Sequence, residues 1–303
     1  MYILAYKKRS YISSFKIQGN SLDLMYITPV EDCVVDFGDG TKQTFTGNNR
    51  STQVNHSYSE SNIYTIKIIG NHSNFTASEN TIEIIQLADS VTSCEEMFLG
   101  CSRLTTILST FTIPNSVTNC FGMFAECSSL TTIPSTFTIP NSVTNCSNMF
   151  SGCSRLTTIP STFTIPNSVT ICSRMFFECS SLTTIQEGFT LGNSVTDCSN
   201  MFLVCSSLTT IPSTFTIPDS VTNCSDMFAE CSSLTSDISN IWPEEFTYTE
   251  TIHVEHMFYK CSKVVGTVPG DKLWNSGKTF ISAGCFNGCT SLTNYNDIPA
   301  GWK

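Results

Sequence analysis

Residues 142–167 read SVTNCSNMFSGCSRLTTIPSTFTIPN, and this stretch recurs with little change through most of the 303-residue chain. Its cysteines, Cys146 and Cys153, and the Met-Phe pair between them return every 26 residues. The pairs begin at residues 97, 123, 149, 175, 201 and 227, with a seventh at Met257/Phe258 after a four-residue insertion and a degenerate eighth at Cys285/Phe286. A fixed period of this length is the signature of a repeat protein, so we expect eight stacked coils.

The apolar positions of each unit predict the shape of one coil. They are spaced too irregularly for a long helix or a long strand. We expect short strands at residues 156–159 and 143–146 and a single helical turn at 147–153, with Pro160 and Pro166 fixing the bends. One coil cannot enclose a core alone, so stacking must bury its apolar columns. The columns of this unit are Val143, Cys146, Met149, Phe150, Cys153, Leu156, Ile159, Phe163 and Ile165.

The repeated text resembles a known family. The pattern F-x-x-C-S-x-L-T-x-I followed by I-P-x-S-V-T is similar to the BspA-like leucine-rich repeats. The variant V-T-N-x-S-x-M-F-x-x-C is similar to the related repeat of bacterial and mycoplasmal surface lipoproteins. The resemblance covers about residues 88–292 and departs at Cys120, Cys146 and their equivalents, where those families more often carry Ile or Met. It implies a leucine-rich-repeat solenoid that serves surface display and adhesion.

Residues 1–88 lack the repeat and contain a different motif. The sequence D-F-G-D-G-T spans residues 36–41. It is followed by an H-x-Y pattern at His56 and Tyr58, and then by a strand-like segment that begins with Tyr64 and a threonine. The Asp-Gly pair within it favours a tight turn between strands. The motif resembles that of the PKD domain, which implies an immunoglobulin-like β-sandwich. Asp36 and Asp39 could act as paired acid–base carboxylates or contribute ligands to a calcium site. In such a turn, however, we expect both carboxylates to accept hydrogen bonds from backbone amides.

The expected fold class is therefore mainly β, in three parts. An immunoglobulin-like (PKD-like) β-sandwich occupies residues 1–88, a leucine-rich-repeat solenoid residues 89–261, and a degenerate last repeat with a C-terminal cap residues 262–303. A cap is expected because the open end of a stack exposes its apolar columns, and because tryptophans occur only after residue 240. We expect Trp274 or Trp302 to pack on the last coil.

Charge and hydropathy restrict the partners and the location. Residues 89–303 carry seventeen Asp/Glu against eight Lys/Arg, and an acidic surface repels phosphate backbones, so nucleic acid is not an expected partner. No stretch reaches the roughly 18–20 apolar residues of a membrane span. At the N-terminus an apolar run precedes Lys7, Lys8 and Arg9. This order is the reverse of a secretory signal, so we recognise no signal peptide.

The sixteen cysteines are the main chemical candidates. Their gaps of seven and nineteen residues do not match the C-x₂₋₄-C pairs of zinc sites. Cys285 and Cys289 have closer spacing, but they occupy the Met and second-Cys positions of the last coil. We expect two columns of buried free thiols that pack as small apolar residues. Disulfides are the first alternative, and metal binding is the second. A His-rich cluster also offers zinc-type ligands, although solvated side chains are expected there; it comprises His253, Glu255, His256 and Cys261.

These observations predict a protein that is not an enzyme, because no catalytic triad, phosphate-binding loop, cofactor site or metal site is recognised. The first functional hypothesis is surface binding or adhesion, in which a polar, uncharged Asn/Ser/Thr-rich face meets a glycan or protein on another surface. The alternative is a bacteriophage virion structural protein (fibre, capsid decoration or receptor-binding component) that docks on the particle through residues 1–88. Cell-surface, extracellular or virion-surface display follows from either. Stacked threonines also occur in some ice-binding repeats, but Thr suits exposed strands generally.

Overall fold

The computed structural model describes residues 11–243 and 251–303, which are mainly β with almost no helix. Helical structure in these two ranges is restricted to the short 3-10 turns Tyr295–Asp297 and Ala300–Trp302. Residues 1–10, on which the signal-peptide argument rests, lie outside the described residues. Six strands precede the repeats: β1 (Ile12–Pro29), β2 (Cys33–Asp36), β3 (Lys42–Phe45), β4 (Thr52–Ile69), β5 (His72–Thr76) and β6 (Thr81–Gln86).

The six strands form one antiparallel sheet in the order β3-β2-β4-β1-β5, with β6 also paired to β1. Register shifts interrupt the long pairing of β1 with β4 between Gly19 and Ser21 and between Leu22 and Met25. Before these shifts β1 also pairs with β6, and after them it pairs with β5. Bulges of this kind bend a strand. One bent strand therefore serves two sets of neighbours within a single sheet, where the PKD resemblance implies two sheets.

The D-F-G-D-G-T motif forms the turn between β2 and β3 and is held by its own carboxylates. Asp36 accepts a hydrogen bond from the Gly38 amide (3.0 Å), and Asp39 accepts one from the Thr41 amide (2.9 Å). Both bonds confirm the predicted role of these carboxylates. Hydrogen bonds from Thr41 and from His56 (2.8 Å) hold the pKa of Asp39 well below its usual range.

The aromatic residues of the motif, distant in sequence, stack on one another. Phe37 lies parallel to the His56 ring at 4.1 Å, and Tyr58 lies parallel to Tyr64 at 3.8 Å. His56 meets Tyr58 edge-on at 4.5 Å. The Tyr58 hydroxyl donates to the Phe37 carbonyl (3.0 Å), which fixes the stack on the turn. The motif therefore has a structural role in this sheet.

Each 26-residue unit contributes very short strand pieces that pair in parallel with equivalent residues of the neighbouring units. Single bridges join Asn119 to Asn145 and Thr132 to Thr158. The strand predicted at residues 156–159 is present but shorter than expected, whereas residues 143–146 contribute only the single bridge at Asn145. The two-residue strands are β7 (Thr158–Ile159), β8 (Thr184–Ile185), β9 (Ile252–His253) and β10 (Phe280–Ile281).

The helical turn predicted at residues 147–153 is wrong. Asn148 and Gly152 have φ angles of 57° and 71°, which are left-handed values that interrupt a right-handed helix. The amides instead alternate between two kinds of partner. Ser151 donates back to Asn148 (3.0 Å), whereas Phe150 donates to the carbonyl of Met175 in the next unit (2.9 Å). Every second amide in this segment thus donates a hydrogen bond to the next repeat. In a helix these amides would have bonded within the segment.

Two columns of phenylalanine rings form the core of the repeats. The buried ring of Phe150 lies parallel to those of Phe124 and Phe176, at centroid distances of 5.4 and 5.6 Å. It meets Phe163 of the second column edge-on at 6.1 Å. Parallel contacts within a column and edge contacts between columns are both favourable for aromatic rings. The first column is Phe98, Phe124, Phe150, Phe176, Phe202, Phe228, Phe258 and Phe286, and the second is Phe111, Phe137, Phe163, Phe189 and Phe215.

Strand β5 covers the first repeat. The Ser73 carbonyl accepts the Thr92 amide (2.9 Å), and the equivalent bond one repeat later runs from the Thr118 amide to the Thr92 carbonyl (3.0 Å). Phe75 of the same strand meets the Phe98 ring edge-on at 5.9 Å. β5 therefore takes the place of a preceding repeat, and one continuous apolar core joins the sheet to the repeats.

A buried polar chain reinforces this junction. His72 Nδ1 lies 2.9 Å from the Gly70 carbonyl and so donates to it. His72 Nε2 then accepts from the Ser13 hydroxyl (2.8 Å), whose oxygen accepts the Ala88 amide (3.0 Å). Burial lowers the pKa of His72 to about 4. The ring is therefore neutral at pH 7, which suits its acceptor role.

Trp302 closes the opposite end of the repeats. Its ring lies nearly parallel to that of Phe286 at 6.2 Å, and Trp274 meets it edge-on at 5.6 Å. Its backbone carbonyl accepts the Phe286 amide (2.8 Å), as the Cys285 carbonyl accepts the Phe258 amide one repeat earlier. The packing predicted for a C-terminal tryptophan on the last repeat is confirmed for Trp302.

Candidate binding surface

Comparison of the repeats with one another shows that their differences concentrate at five positions around the first cysteine and the Met-Phe pair. Much of the rest of each regular unit is constant, including exposed Thr and Ser residues. We call the side chains at the five positions, in all repeats, the variable face. The first repeat has Ser93, Glu95, Glu96, Leu99 and Gly100 there; the fourth has Ile171, Ser173, Arg174, Phe177 and Glu178; the seventh has His253, Glu255, His256, Tyr259 and Lys260.

The backbone at these positions makes the same hydrogen bonds whatever the side chain. The amides of Glu96, Asn148 and Arg174 occupy equivalent positions, and each donates to the next repeat at 2.8 to 2.9 Å. All three residues have left-handed φ angles between 50° and 57°. The side chains therefore have no part in holding the repeats together through these bonds, and they are free to differ.

The variable side chains lie on the outside of the molecule. Every large one is at least partly exposed, including Phe177, Leu203 and Tyr259. The buried members are small: Gly122, Ala125, Ser147, Ser199 and Ala229. The intervening Met, Phe and Cys residues are fully buried. Sequence reasoning missed this surface because it looked for shared residues; a column-by-column search for differences between the repeats would have found it.

The threonine ladders, by contrast, are occupied by structural hydrogen bonds. The hydroxyl of Thr157 donates to the Thr131 carbonyl (3.4 Å), and that of Thr183 donates to the Thr157 carbonyl (3.1 Å). A parallel ladder joins Thr170 to Thr144 (3.3 Å). Each bond links residues one repeat apart. The constancy of these exposed threonines therefore has a structural reason.

A shallow groove of about 550 Å³ interrupts the regular surface around the bend that contains Gly192. Gly192 stands there in place of the proline found at position 166. A Cβ atom on Gly192 would collide with the Pro166 carbonyl, so glycine permits a close approach of the two bends. The groove is neutral and polar, and its amide and hydroxyl lining consists of Asn141, Thr164, Asn167, Thr190, Asn193 and Thr216.

The two cysteine columns lie in the core, as predicted, but they differ in their contacts. In the second column, the thiol of Cys153 donates to the Phe124 carbonyl (3.3 Å), and that of Cys179 donates to the Phe150 carbonyl (3.2 Å). In the first column, the contact from Cys146 to the Ile171 carbonyl is long (3.8 Å). Burial raises the pKa of Cys153 and Cys205 to about 12. These thiols stay protonated near neutral pH and are poor nucleophiles.

The His-rich cluster does not converge on one point. Cys261 is buried and donates its thiol to the Phe228 carbonyl (3.0 Å). His253 faces Glu255 (3.3 Å), whereas His256 faces Asp226 (3.7 Å). Partial burial opposes the effect, but hydrogen bonds from its own backbone amide, Ser225 and His253 lower the pKa of Glu255. His253, Glu255 and His256 therefore make separate surface contacts within the variable face, whereas Cys261 belongs to the core.

Within residues 11–243 and 251–303, no three His, Cys, Asp or Glu side chains lie together in a group that could hold a metal ion. In the same ranges no helix has the length and apolar character needed to cross a bilayer.

A sequence model of one protein family matches the chain twice, at residues 71–189 and 170–298. The two matches together cover about three quarters of the 303 residues. The first match begins at residue 71, next to β5, which agrees with the role of that strand in taking the place of a preceding repeat. No curated protein and no solved structure matches the chain. The chain belongs to the family described as Mycoplasma protein of unknown function, DUF285.

Proposed function

We propose that this protein is a non-enzymatic surface protein that binds a protein or glycan on another surface through its repeats. One observation carries the proposal: differences between otherwise near-identical repeats concentrate at outward-facing positions of one segment. A scaffold that keeps its core and changes a contiguous outer surface is suited to recognition. The buried, protonated thiols and the separated His residues offer no activated nucleophile.

The finer architecture belongs to the same proposal. We infer a BspA-like leucine-rich-repeat solenoid, supported by parallel bridges between residues 26 apart and by the continuous Phe columns. We infer a PKD-like domain before it, supported by the Asp36 and Asp39 turn and the aromatic stack on it. Extracellular or surface location is compatible with the family match.

The experiment compares the full chain with two variants on arrays of glycans and of extracellular proteins. The repeat-3 variant carries Phe177→Ser, Glu178→Gly, Leu203→Ser and Val204→Gly, which copies Ser151 and Gly152 of the third repeat into the next two. Since that repeat tolerates these residues in the same conformation, the fold should persist. The groove variant, Thr164→Ala with Thr190→Ala, changes exposed constant positions instead.

We expect the natural chain to bind a discrete set of array components, the repeat-3 variant to lose about tenfold or more in affinity, and the groove variant to keep it. Circular dichroism and denaturant unfolding should show that both variants are folded. If the natural chain binds nothing, or if the repeat-3 variant binds as well as the natural chain, the proposed function or its surface is wrong.

A further inference from the structure

We propose that the variable face docks a protein partner whose contacting surface is net basic. This inference rests on the proposed binding function and narrows the partner class. Three independent features of the face support it: partly exposed apolar and aromatic anchors, an excess of carboxylates of which several form no ion pair, and a valine held in an unfavourable backbone conformation.

The anchors favour a protein over a glycan. Among residues 89–243, Phe121 and Phe177 are the only aromatic side chains that are not buried, and both belong to the variable face. Leu99 and Ile171, also on this face, are 38% and 39% exposed. Aromatic and large aliphatic side chains on an otherwise Ser/Thr-rich surface are typical of the centre of protein–protein interfaces.

The net charge of the variable face indicates the net charge that a partner's contacting surface should have. Its carboxylates outnumber its Lys and Arg residues by eight to two. Both cations are engaged: Lys260 pairs with Glu230 (2.8 Å), and the Arg174 guanidinium lies 5.8 Å from the centre of the Phe177 ring. The carboxylates are Glu95, Glu96, Glu126, Glu178, Asp197, Asp226, Glu230 and Glu255.

Several of these carboxylates lack a cation of their own. Within the part of the chain that the structure describes, Glu96, Glu126 and Glu178 form no ion pair, and each is exposed. Glu126 and Glu178 lie two repeats apart, in the same column as Glu230. A surface of this sign steers basic partners and repels acidic ones, whether nucleic acids or anionic glycans.

The backbone conformation of Val204 also supports the variable face as a contact surface. Val204 has a φ angle of 62°, in the left-handed region. That conformation is especially unfavourable for a β-branched residue. The equivalent position holds Gly100, Gly152 or a straight-chain residue in the other repeats. Val204 is partly exposed and its backbone conformation is unfavourable for valine. We therefore expect its side chain to contact another molecule.

The test is a selection of random displayed peptides of about 15 residues, long enough to span several coils of the repeat stack, on the full natural chain. Peptides that also bind the repeat-3 variant are removed. One selected peptide is then titrated against the triple variant Glu126→Gln, Glu178→Gln, Glu230→Gln. The matched control is Asp89→Asn, Glu187→Gln, Asp219→Asn, which removes the same charge from repeat positions outside the variable face.

We expect the selected peptides to be net positive with at least one large apolar residue. Affinity should fall about tenfold in the face triple variant, less than about twofold in the control, and steeply as salt screens the charges. Neutral or acidic selected peptides, or equal losses in both triple variants, would overturn the inference. Array binding to a neutral glycan that depends on the variable face would overturn it too, while leaving the proposed function intact.

Discussion

The amide of Phe286 donates a hydrogen bond to the carbonyl of Trp302 (2.8 Å), and the rings of the same two residues stack at 6.2 Å. Only sixteen positions separate them, whereas interior repeats use a partner 25 residues ahead, as in Phe150 and Met175. A single C-terminal residue thus supplies both the ring and the acceptor that a whole further repeat would have supplied.

Replacing Trp302 by alanine should therefore open the C-terminal end. We expect a loss of about 3–5 kcal/mol in the free energy of unfolding, as for other large-to-small changes in a core. We also expect concentration-dependent association, because the exposed repeat end has unpaired backbone groups. Denaturant unfolding and light scattering measure both effects. Trp302→Phe should restore most of the stability, and a monomeric, equally stable alanine variant would remove Trp302 from the cap.

Two adjacent phenylalanines provide a direct test of the inward and outward faces. Phe176 is fully buried between Phe150 (5.6 Å) and Phe202 (5.5 Å), whereas Phe177 is partly exposed on the variable face. Phe176→Ala should cost about 3–5 kcal/mol and broaden the unfolding transition by uncoupling the repeats on either side. Phe177→Ala should cost less than about 1 kcal/mol. Similar costs for the two variants would contradict the assignment of the two faces.

The cysteine columns should respond differently to serine. Cys179 already donates to the Phe150 carbonyl (3.2 Å), so a hydroxyl at that position has an acceptor. Cys172 makes no such bond within the described residues, so Cys172→Ser buries an unsatisfied hydroxyl at a cost of about 1–3 kcal/mol. Denaturant midpoints of the two variants give the comparison. A Cys179→Ser variant that is the less stable of the two would argue against the thiol–carbonyl ladder.

The buried His72 predicts a loss of stability in mild acid. Its pKa is about 4 in the folded chain and 6.5 when it is unperturbed, so the folded state disfavours the proton. The His72 contribution is complete above pH 6.5 and is lost as the pH falls towards 4, by up to about 3 kcal/mol. His72→Gln should flatten this slope between pH 6.5 and 4.5. Unfolding at several pH values measures it, and parallel slopes would assign the acid sensitivity to other groups.

Val204→Gly should stabilise the protein, because glycine adopts a left-handed φ without the steric cost that valine has. We expect a gain of about 1 kcal/mol, reduced in part by the greater backbone freedom of glycine in the unfolded chain. Val204→Ala serves as a control that keeps a Cβ atom. If glycine is no more stable than alanine at this position, the conformation is not strained.

The sequence predicted the core columns well because burial there follows residue type and a strict period. Phe150, Cys153 and their equivalents lie inside, as the repeat implied. It failed at residues 147–153, where the left-handed Asn148 depends on a hydrogen bond to the next repeat. A single unit read in isolation contains no such partner. The sequence also did not predict that the six strands pair into one sheet. That pairing depends on the register shifts near Gly19, which arise only when β1 pairs with β4.

The surface proposed here for binding differs in character from the one that the sequence predicted. A polar, uncharged face was expected, but the threonines that suggested it are used in ladders between repeats, as Thr157 and Thr131 show. The variable face is acidic and partly apolar. Its residues were visible in the sequence, but their outward direction depends on the alternation of amide partners around Met149 and Phe150.

The identity of successive repeat interfaces has a consequence for the gene as well as for the protein. Phe124 bonds to Met149 as Phe150 bonds to Met175, and the rings advance by about 5.4 Å per unit. Unequal recombination between such similar segments would insert or delete 26 residues. The new neighbours would meet through the same interface that the existing repeats use. The length of the molecule, and its reach from any attachment point, can therefore change in uniform increments while both ends stay as they are.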